Sequence, residues 1–86
     1  MSQEINKYIV QALVEMALFL EFSEDGIIDP DAAVQALEQL SSTLQMANVE
    51  TKASLCLHFE NIASEYQGDK AEFVRCMGEE LGLVDE

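Results

Sequence analysis

The stretch "FLEFSEDGIIDPDAAV", residues 19–34, contains the end of one helical segment and the start of the next. Asp29 and Pro30 fit a helix start, because an aspartate side chain accepts a hydrogen bond at the N-cap and proline tolerates the first helical position. Asp31 places another negative charge near the positive end of that helix. The stretch therefore predicts a corner between two helices, the second of which begins at Pro30.

Apolar residues recur at helical spacing on both sides of this corner, and no segment alternates with period two over a useful length. The first helix is apolar around most of its circumference, so we expect it to be central in a bundle or shared with a second copy of the chain. The stripe expected to face the core is Ile5, Tyr8, Ile9, Ala12, Leu13, Met16 and Leu20. The residues that extend the apolar surface beyond that stripe are Val10, Val14, Leu18 and Phe22.

Three further helices follow from the same spacing rule and from capping signals. Asn48 is expected to cap the third helix and Gly68 to end it, while Asp69 and Glu72 lie at capping-box distance at the start of a short last helix, which Gly78 stops. The expected inward residues are Ala33, Val34, Leu37, Leu40 and Leu44 in the second helix, Leu55, Cys56, Phe59, Ile62, Ala63 and Tyr66 in the third, and Phe73, Val74 and Met77 in the last. Leu81, Leu83 and Val84 are expected to close the core. The prediction is an all-α fold: a compact four-helix domain with a short last helix, in which residues 1–86 form a single helical domain.

The net charge limits the classes of partner that the chain can bind. Seventeen acidic and four basic residues give a formal net charge of −13. Binding to a phosphate backbone or to an anionic membrane needs clustered Lys and Arg, so we expect no direct nucleic-acid contact and no membrane contact. The partner that suits such a surface is a basic protein, a cation, or a protein site that usually holds nucleic acid.

The N-terminal residues lack the pattern of a secretory signal, and the apolar stretch 8–20 is too short for a transmembrane helix, which needs about 20 apolar residues. We therefore expect a cytoplasmic protein. Two cysteines, Cys56 and Cys76, do not make a disulfide framework in a chain of this kind, so both thiols are expected to be reduced and buried.

The acidic corner can be compared with a calcium-binding EF-hand loop. With Gly26 at the glycine position, Glu21 takes the first position and Ala32 the last, where a bidentate glutamate normally closes the calcium shell. We therefore expect no functional metal site, and a degenerate EF-hand-like calcium-binding protein remains the alternative interpretation.

Catalytic chemistry finds little support in the sequence. His58 is the only histidine, and it lies on the expected solvent face of the third helix without a second ligand at metal-binding spacing. Cys56 is two positions away and points in another direction, so the two do not form a nucleophile–base pair. No glycine-rich phosphate loop occurs. We expect a protein that is not an enzyme, with no catalytic residues and no cofactor.

What remains is the cluster of acids, for which two interpretations stay open. The corner is either a solvated helix connection or an anionic patch that docks on a basic surface, with apolar residues inside it holding the partner. The candidate partner-binding residues are Glu21, Glu24, Asp25, Ile27, Ile28, Asp29 and Asp31, joined by Glu79 and Glu80 near the C-terminus.

The stretches "DPDAAVQALEQLSSTLQ" (29–45) and "EFVRCMGEELGLVDE" (72–86) resemble the small acidic helical immunity proteins of bacterial polymorphic-toxin systems. The resemblance implies a cytoplasmic inhibitor that binds one cognate toxin, often by occupying its active-site cleft. Toxins of such systems include nucleases and ADP-ribosyltransferases, whose clefts accept anionic substrates. No residue-level motif is carried over. A homodimeric adaptor without a toxin partner is a further alternative.

Overall fold

The structure, a computed structural model, is all-α over the residues that it describes, and no strand occurs among them. The described residues are 6–24 and 26–84. The helices are α1 (Lys7–Phe22), α2 (Pro30–Gln45), α3 (Val49–Ala63), α4 (Gly68–Arg75) and α5 (Met77–Glu80). The predicted helical class is confirmed, and the expected last helix is divided at Cys76 into two short helices.

Two of the predicted helix starts are confirmed by side-chain hydrogen bonds. The Asp29 carboxylate accepts a hydrogen bond of 3.1 Å from the backbone N–H of Ala32, with Pro30 at the first helical position. The Asn48 side-chain oxygen accepts one of 2.8 Å from the backbone N–H of Thr51. Each of these bonds satisfies one of the N–H groups that a helix start leaves unpaired.

The start of α4 differs from the expected capping box. Its N-cap is Gln67, which makes no side-chain capping hydrogen bond, and Asp69 lies in the first turn instead of at the cap. Gly68 does adopt a left-handed conformation, with φ of 63°, but it opens α4, whereas α3 already ends at Ala63. The sequence signal identified a chain reversal at this glycine and assigned it to the wrong helix.

Two helices form the centre of the core. α1 packs against α2, α3 and α4, while α3 packs against α1, α4 and α5. The expected stripe of α3 is confirmed, with Phe59 fully buried and with Cys56 and Tyr66 half-buried at its edge. Other buried residues of this stripe are Leu55, Ile62 and Ala63.

The buried face of α1 differs from the expected one. Of the expected stripe, Leu13 is half-buried and packs against the core and Leu20 is half-buried, whereas Tyr8 and Ala12 are exposed. Exposure is 60% for Ile9 and 58% for Met16, both of which were expected in the core. Ile5 lies outside the described residues. The face that α1 buries consists of Val10, Val14, Ala17 and Leu18. Both faces of this helix are apolar, and the buried one has mostly small side chains, which let neighbouring helices approach closely.

The last helical segment is terminated at Gly82 and not at Gly78, where the sequence predicted the end of the last helix. Gly78 lies buried inside α5, and a Cβ at that position would come within 2.6 Å of the Cys56 sulfur, so its lack of a side chain permits close packing of α5 on α3. Gly82 has φ of 72°, and the Leu83 N–H bonds to the Gly78 carbonyl oxygen at 2.8 Å. This is the Schellman arrangement, in which glycine takes the left-handed position and the next apolar residue, here Leu83, is buried.

α2 is the least covered of the long helices. Only Ala33 is buried, whereas Leu37, Leu40 and Leu44 are half-buried and Val34 is 53% exposed. α2 packs mainly on α1. A groove separates part of α2 from the α4–α5 segment. Within the described residues, the structure contains no helix with the length and apolarity that crossing a bilayer requires.

Candidate functional site

A groove lies between α2 and the C-terminal parts of α1, α4 and α5, and it is called the acidic groove below. It has a volume of about 480 Å³, within the range of small-ligand and anchor-residue pockets in proteins. Its apolar floor consists of Val34, Leu37, Phe73 and Leu81. Its rim carries Glu21, Glu38 and Glu80, with Ser41 and Ser42 between them.

Two smaller clefts share lining residues with the groove, and Glu21 borders all three. One cleft, of about 190 Å³, runs toward the α1–α2 corner, where Ile28 and Pro30 line it. The other, of about 440 Å³, runs along α4 past Asp69 and Glu72. Because the clefts share lining residues with the groove, the three adjoin one another and combine apolar residues with exposed carboxylates.

This surface carries several carboxylates and, within the described part of the chain, no lining base. None of the described residues that line the groove and its two extensions is Lys or Arg. Arg75 lies nearby but forms an ion pair with Glu72, which leaves Glu21, Glu38 and Glu80 without a basic neighbour among the lining residues. Low-dielectric walls beside like charges concentrate the field, so the groove attracts cationic groups.

Two sets of contacts hold the groove in shape. The Phe22 and Phe73 rings meet edge to face, with centroids 5.7 Å apart, and join the end of α1 to α4. At the other end, the Leu81 carbonyl oxygen accepts hydrogen bonds from Ser41 Oγ at 2.7 Å and from Gln45 Nε2 at 2.9 Å. These contacts link α1, α2 and the α4–α5 segment, so the floor and the rim belong to a packed frame.

Three of the predicted partner-binding residues meet at this surface. Glu21 and Glu80, far apart in the sequence, both stand on the rim of the acidic groove. Ile28 lines the extension toward the corner. The structure thus brings one acid of the corner together with one acid of the C-terminal segment.

The other predicted residues lie elsewhere. Glu24 and Ile27 are exposed in the corner loop, and Asp29 serves as the cap of α2, with Asp31 exposed in the first turn. Glu79 borders a different cleft, beside Cys76, Gly78 and Val84. Asp25 lies outside the described residues. The corner connects α1 to α2, and the groove beside it brings more of the candidate features together.

Sequence reasoning missed Glu38 as a rim residue and Val34 and Phe73 as floor residues. Val34 and Phe73 were assigned to the core, and the structure leaves Val34 half open to solvent. The available signal was the position of Glu38 one helical turn after Val34, which places a carboxylate at the edge of an apolar stripe. That signal did not indicate which other helix would lie across from it.

The two thiols are free, and each is half-buried instead of fully buried. Burial, followed by the charge of Glu60, raises the pKa of the Cys56 thiol above its ordinary value of 9.0. For Cys76, burial and then the thiol's hydrogen bond of 3.6 Å to the Glu72 carboxylate raise the pKa in the same direction. Because the thiolate is the nucleophile, neither cysteine is activated for attack at neutral pH.

His58 is half-buried, not exposed as expected. Its Nδ1 lies 2.8 Å from the Ser54 carbonyl oxygen, an arrangement in which a protonated Nδ1 donates to its own helix. Among residues 6–24 and 26–84, no three acidic, histidine or cysteine side chains are grouped as a metal site requires. The EF-hand-like register also overlaps α1 and α2, because Glu21 belongs to α1 and Ala32 to α2.

Comparison of the chain with protein-family models, with curated proteins and with solved structures finds no match.

Proposed function

We propose that this chain is a non-enzymatic protein-binding module that docks a basic partner in the acidic groove. The observation that carries the proposal is the placement of Glu21, Glu38 and Glu80 around an apolar floor, with no basic residue among the lining residues. Charges arranged in this way speed the encounter with a cationic surface and select the partner, and burial of apolar groups then holds it.

The shape of the surface favours a protein segment as the ligand. The groove and its two adjoining clefts extend over α1, α2, α4 and α5 and combine apolar lining residues with exposed carboxylates. An amphipathic basic helix matches that pattern, because its apolar side chains fill a groove while Lys or Arg on its flanks reach the rim. Arg in particular pairs with carboxylates through two parallel hydrogen bonds.

The sharpest form of the proposal is an immunity protein that inhibits a cognate bacterial toxin. A toxin that acts on nucleic acids or nucleotides has a basic cleft, and an acidic surface fits such a cleft in place of the anionic substrate. The two stretches that resemble immunity proteins, 29–45 and 72–86, supply all of the residues that line the acidic groove except Glu21. This coincidence supports the proposal.

The first test uses charge. The partner is captured from the native host with the wild-type chain and identified, and its association is measured at low and at high ionic strength. Replacing Glu21, Glu38 and Glu80 by Gln should slow association and flatten its dependence on salt. The matched control removes the same charge from exposed positions outside the groove: Glu50→Gln, Glu60→Gln and Glu65→Gln.

The comparison of the two triple variants decides whether the groove is the site. Equal slowing in both would mean that only the net charge matters, and unchanged kinetics in a folded groove variant would place the interface elsewhere. A second variant, Val34→Ala, should raise the dissociation rate and leave the association rate nearly unchanged, since apolar floor contacts act after encounter. Val34 is largely exposed, so the fold should tolerate this change.

The immunity function has its own test. The captured partner is expressed in a bacterial host with and without the chain, and growth is followed. Growth arrest by the partner alone, relieved by the wild-type chain and not by the groove variant, is the expected result. A partner that binds in the groove but does not affect growth would agree with the protein-binding function and would refute the toxin-inhibitor function.

A further inference from the structure

The face of α1 that the bundle leaves uncovered carries apolar side chains at coiled-coil spacing. Ile9, Ala12, Met16 and Phe19 follow one another at intervals of three, four and three residues, and they are called the α1 seam below. All four are exposed, and for Phe19 the exposure is 47%. This alternation of three and four is the pattern that lines up side chains between two paired helices.

The α1 seam is not needed by the core of its own chain. The opposite face, with Val10 and Val14 fully buried, already packs against the other helices. Single exposed apolar residues are ordinary on protein surfaces, but a continuous apolar stripe over three helical turns marks an interaction surface. Tyr8, which is exposed beside Ile9, widens the stripe further.

We propose that the α1 seam pairs with the same seam of a second copy of this chain, as two antiparallel helices. With the two-fold axis between Ala12 and Met16, Ala12 lies opposite Met16 of the second copy, and Ile9 lies opposite Phe19 of the second copy. Each layer then combines a smaller side chain with a larger one, which suits close packing of two helices. The seam is therefore complementary to itself in size.

Charge also favours this face for contact between two copies. The chain has a net charge of −13, so two copies repel each other over most of their surfaces. Within α1, Glu15 is the only carboxylate that flanks the seam, whereas Glu21 lies on the acidic groove. Two like-charged copies therefore meet there with less local repulsion than at the acidic groove. A basic partner is attracted more strongly to the carboxylates of the acidic groove.

The size of the seam limits the strength of the pair. Its large side chains together with Tyr8 expose roughly 500 Å² of apolar surface per copy, on the scale of side-chain areas of this kind. The pair then buries on the order of 1,000 Å² in total, below the standard size of a stable interface. The expected species is a weak dimer whose population rises with concentration and with salt.

This pairing goes beyond the proposed function and leaves it intact. No residue of the α1 seam lines the acidic groove or its extensions. A dimer formed through α1 therefore presents two free grooves, and two linked grooves bind a partner with repeated basic segments more tightly than one.

The test is sedimentation velocity with the full chain from micromolar to millimolar concentration, at low and at high salt. A reversible monomer–dimer equilibrium is expected, and high salt should strengthen it. Met16→Ser should weaken the dimer by about tenfold or more, because one buried apolar side chain per copy is lost. The matched control is Met46→Ser, at an exposed position outside α1, and it should leave the equilibrium unchanged. Glu15→Gln should strengthen the dimer, since it removes the carboxylate beside the seam.

Two further variants test the antiparallel alignment. Ala12→Met alone places two large side chains opposite each other and should weaken the dimer, whereas Ala12→Met combined with Met16→Ala should restore it. In a parallel pair each residue meets its own copy, so Ala12→Met alone would strengthen association, which would overturn the alignment. A wild-type chain that stays monomeric at millimolar concentration, or equal effects of Met16→Ser and Met46→Ser, would refute the proposal.

Discussion

Ser41 Oγ donates a hydrogen bond of 2.7 Å to the carbonyl oxygen of Leu81, a residue forty positions further along the chain. That carbonyl follows the last turn of α5, where a helix leaves its oxygens without partners. Gln45, one turn after Ser41, donates to the same oxygen at 2.9 Å. Polar side chains of α2 thus donate hydrogen bonds to the carbonyl oxygen at the end of α5, and this contact lies at one edge of the acidic groove.

Ser41→Ala should lower the free energy of unfolding by about 0.5–1.5 kcal/mol, the usual net value of one hydrogen bond. The control is Ser42→Ala, an exposed neighbour that also lines the groove. Urea denaturation monitored by circular dichroism measures both. Equal effects of the two variants would show that the Ser41–Leu81 bond adds nothing to stability.

Gly82→Ala should destabilise the chain by about 1–2 kcal/mol, because a side chain is strained in the left-handed region. Its φ is 72°, and the new Cβ would also lie 2.5 Å from Gln45 Nε2, which donates to Leu81. Gly26→Ala is the control, since nothing lies within 4 Å of a Cβ there and its φ is not in that region. Thermal unfolding of both variants gives the comparison. A Gly82→Ala variant as stable as the wild type would contradict the Schellman stop.

The orientation of α1 is tested by truncating one residue on each face. Leu18→Ala, at a position with 8% exposure, should cost about 2–5 kcal/mol through lost burial and a remaining cavity. Met16→Ala should change stability by no more than about 0.5 kcal/mol, because the side chain is mostly in solvent. Urea denaturation at low micromolar concentration keeps the weak dimer out of the measurement. The reverse order of the two values would restore the face expected from the sequence.

Alkylation by iodoacetamide should show a pH profile whose midpoint for the folded chain lies above 9.0, since burial raises the pKa of both the Cys56 and the Cys76 thiol. A higher pKa means less thiolate at a given pH, and so a slower reaction. The chain unfolded in urea gives the reference profile. Cys56→Ser and Cys76→Ser separate the two sites, and a folded-state midpoint at or below that of the unfolded chain would contradict the assignment.

The same shifts predict how stability depends on pH. A thiol with a raised pKa binds its proton more tightly when the chain is folded, so its contribution is fully present below the ordinary value of 9.0. Stability should fall as the pH rises through that value toward the folded-state pKa. Denaturation midpoints are measured at neutral and alkaline pH for the wild type and for the double Cys→Ser variant. The difference gives the contribution of the two thiols to the pH dependence of stability.

The positions of the long helices follow from the sequence, because helix starts and apolar spacing are local properties. Asp29 and Asn48 cap the helices that they were expected to cap, and the stripe around Phe59 is buried as predicted. Such features depend on residues within a turn or two, so a short stretch contains all of the necessary information.

The sequence also determined that the chain is strongly acidic, but tertiary structure decided where the acids meet. Glu21, Glu38 and Glu80 belong to three different helices, and only their packing places them around one apolar floor. Tertiary structure also decided which face of α1 is buried. Local spacing favoured the stripe with Ile9 and Met16, but both faces are apolar, so the packing of the other helices made the choice. Small side chains such as Val14 allow close helix packing, so the face that carries them is buried. The face with Met16 and its neighbours is then left in solvent.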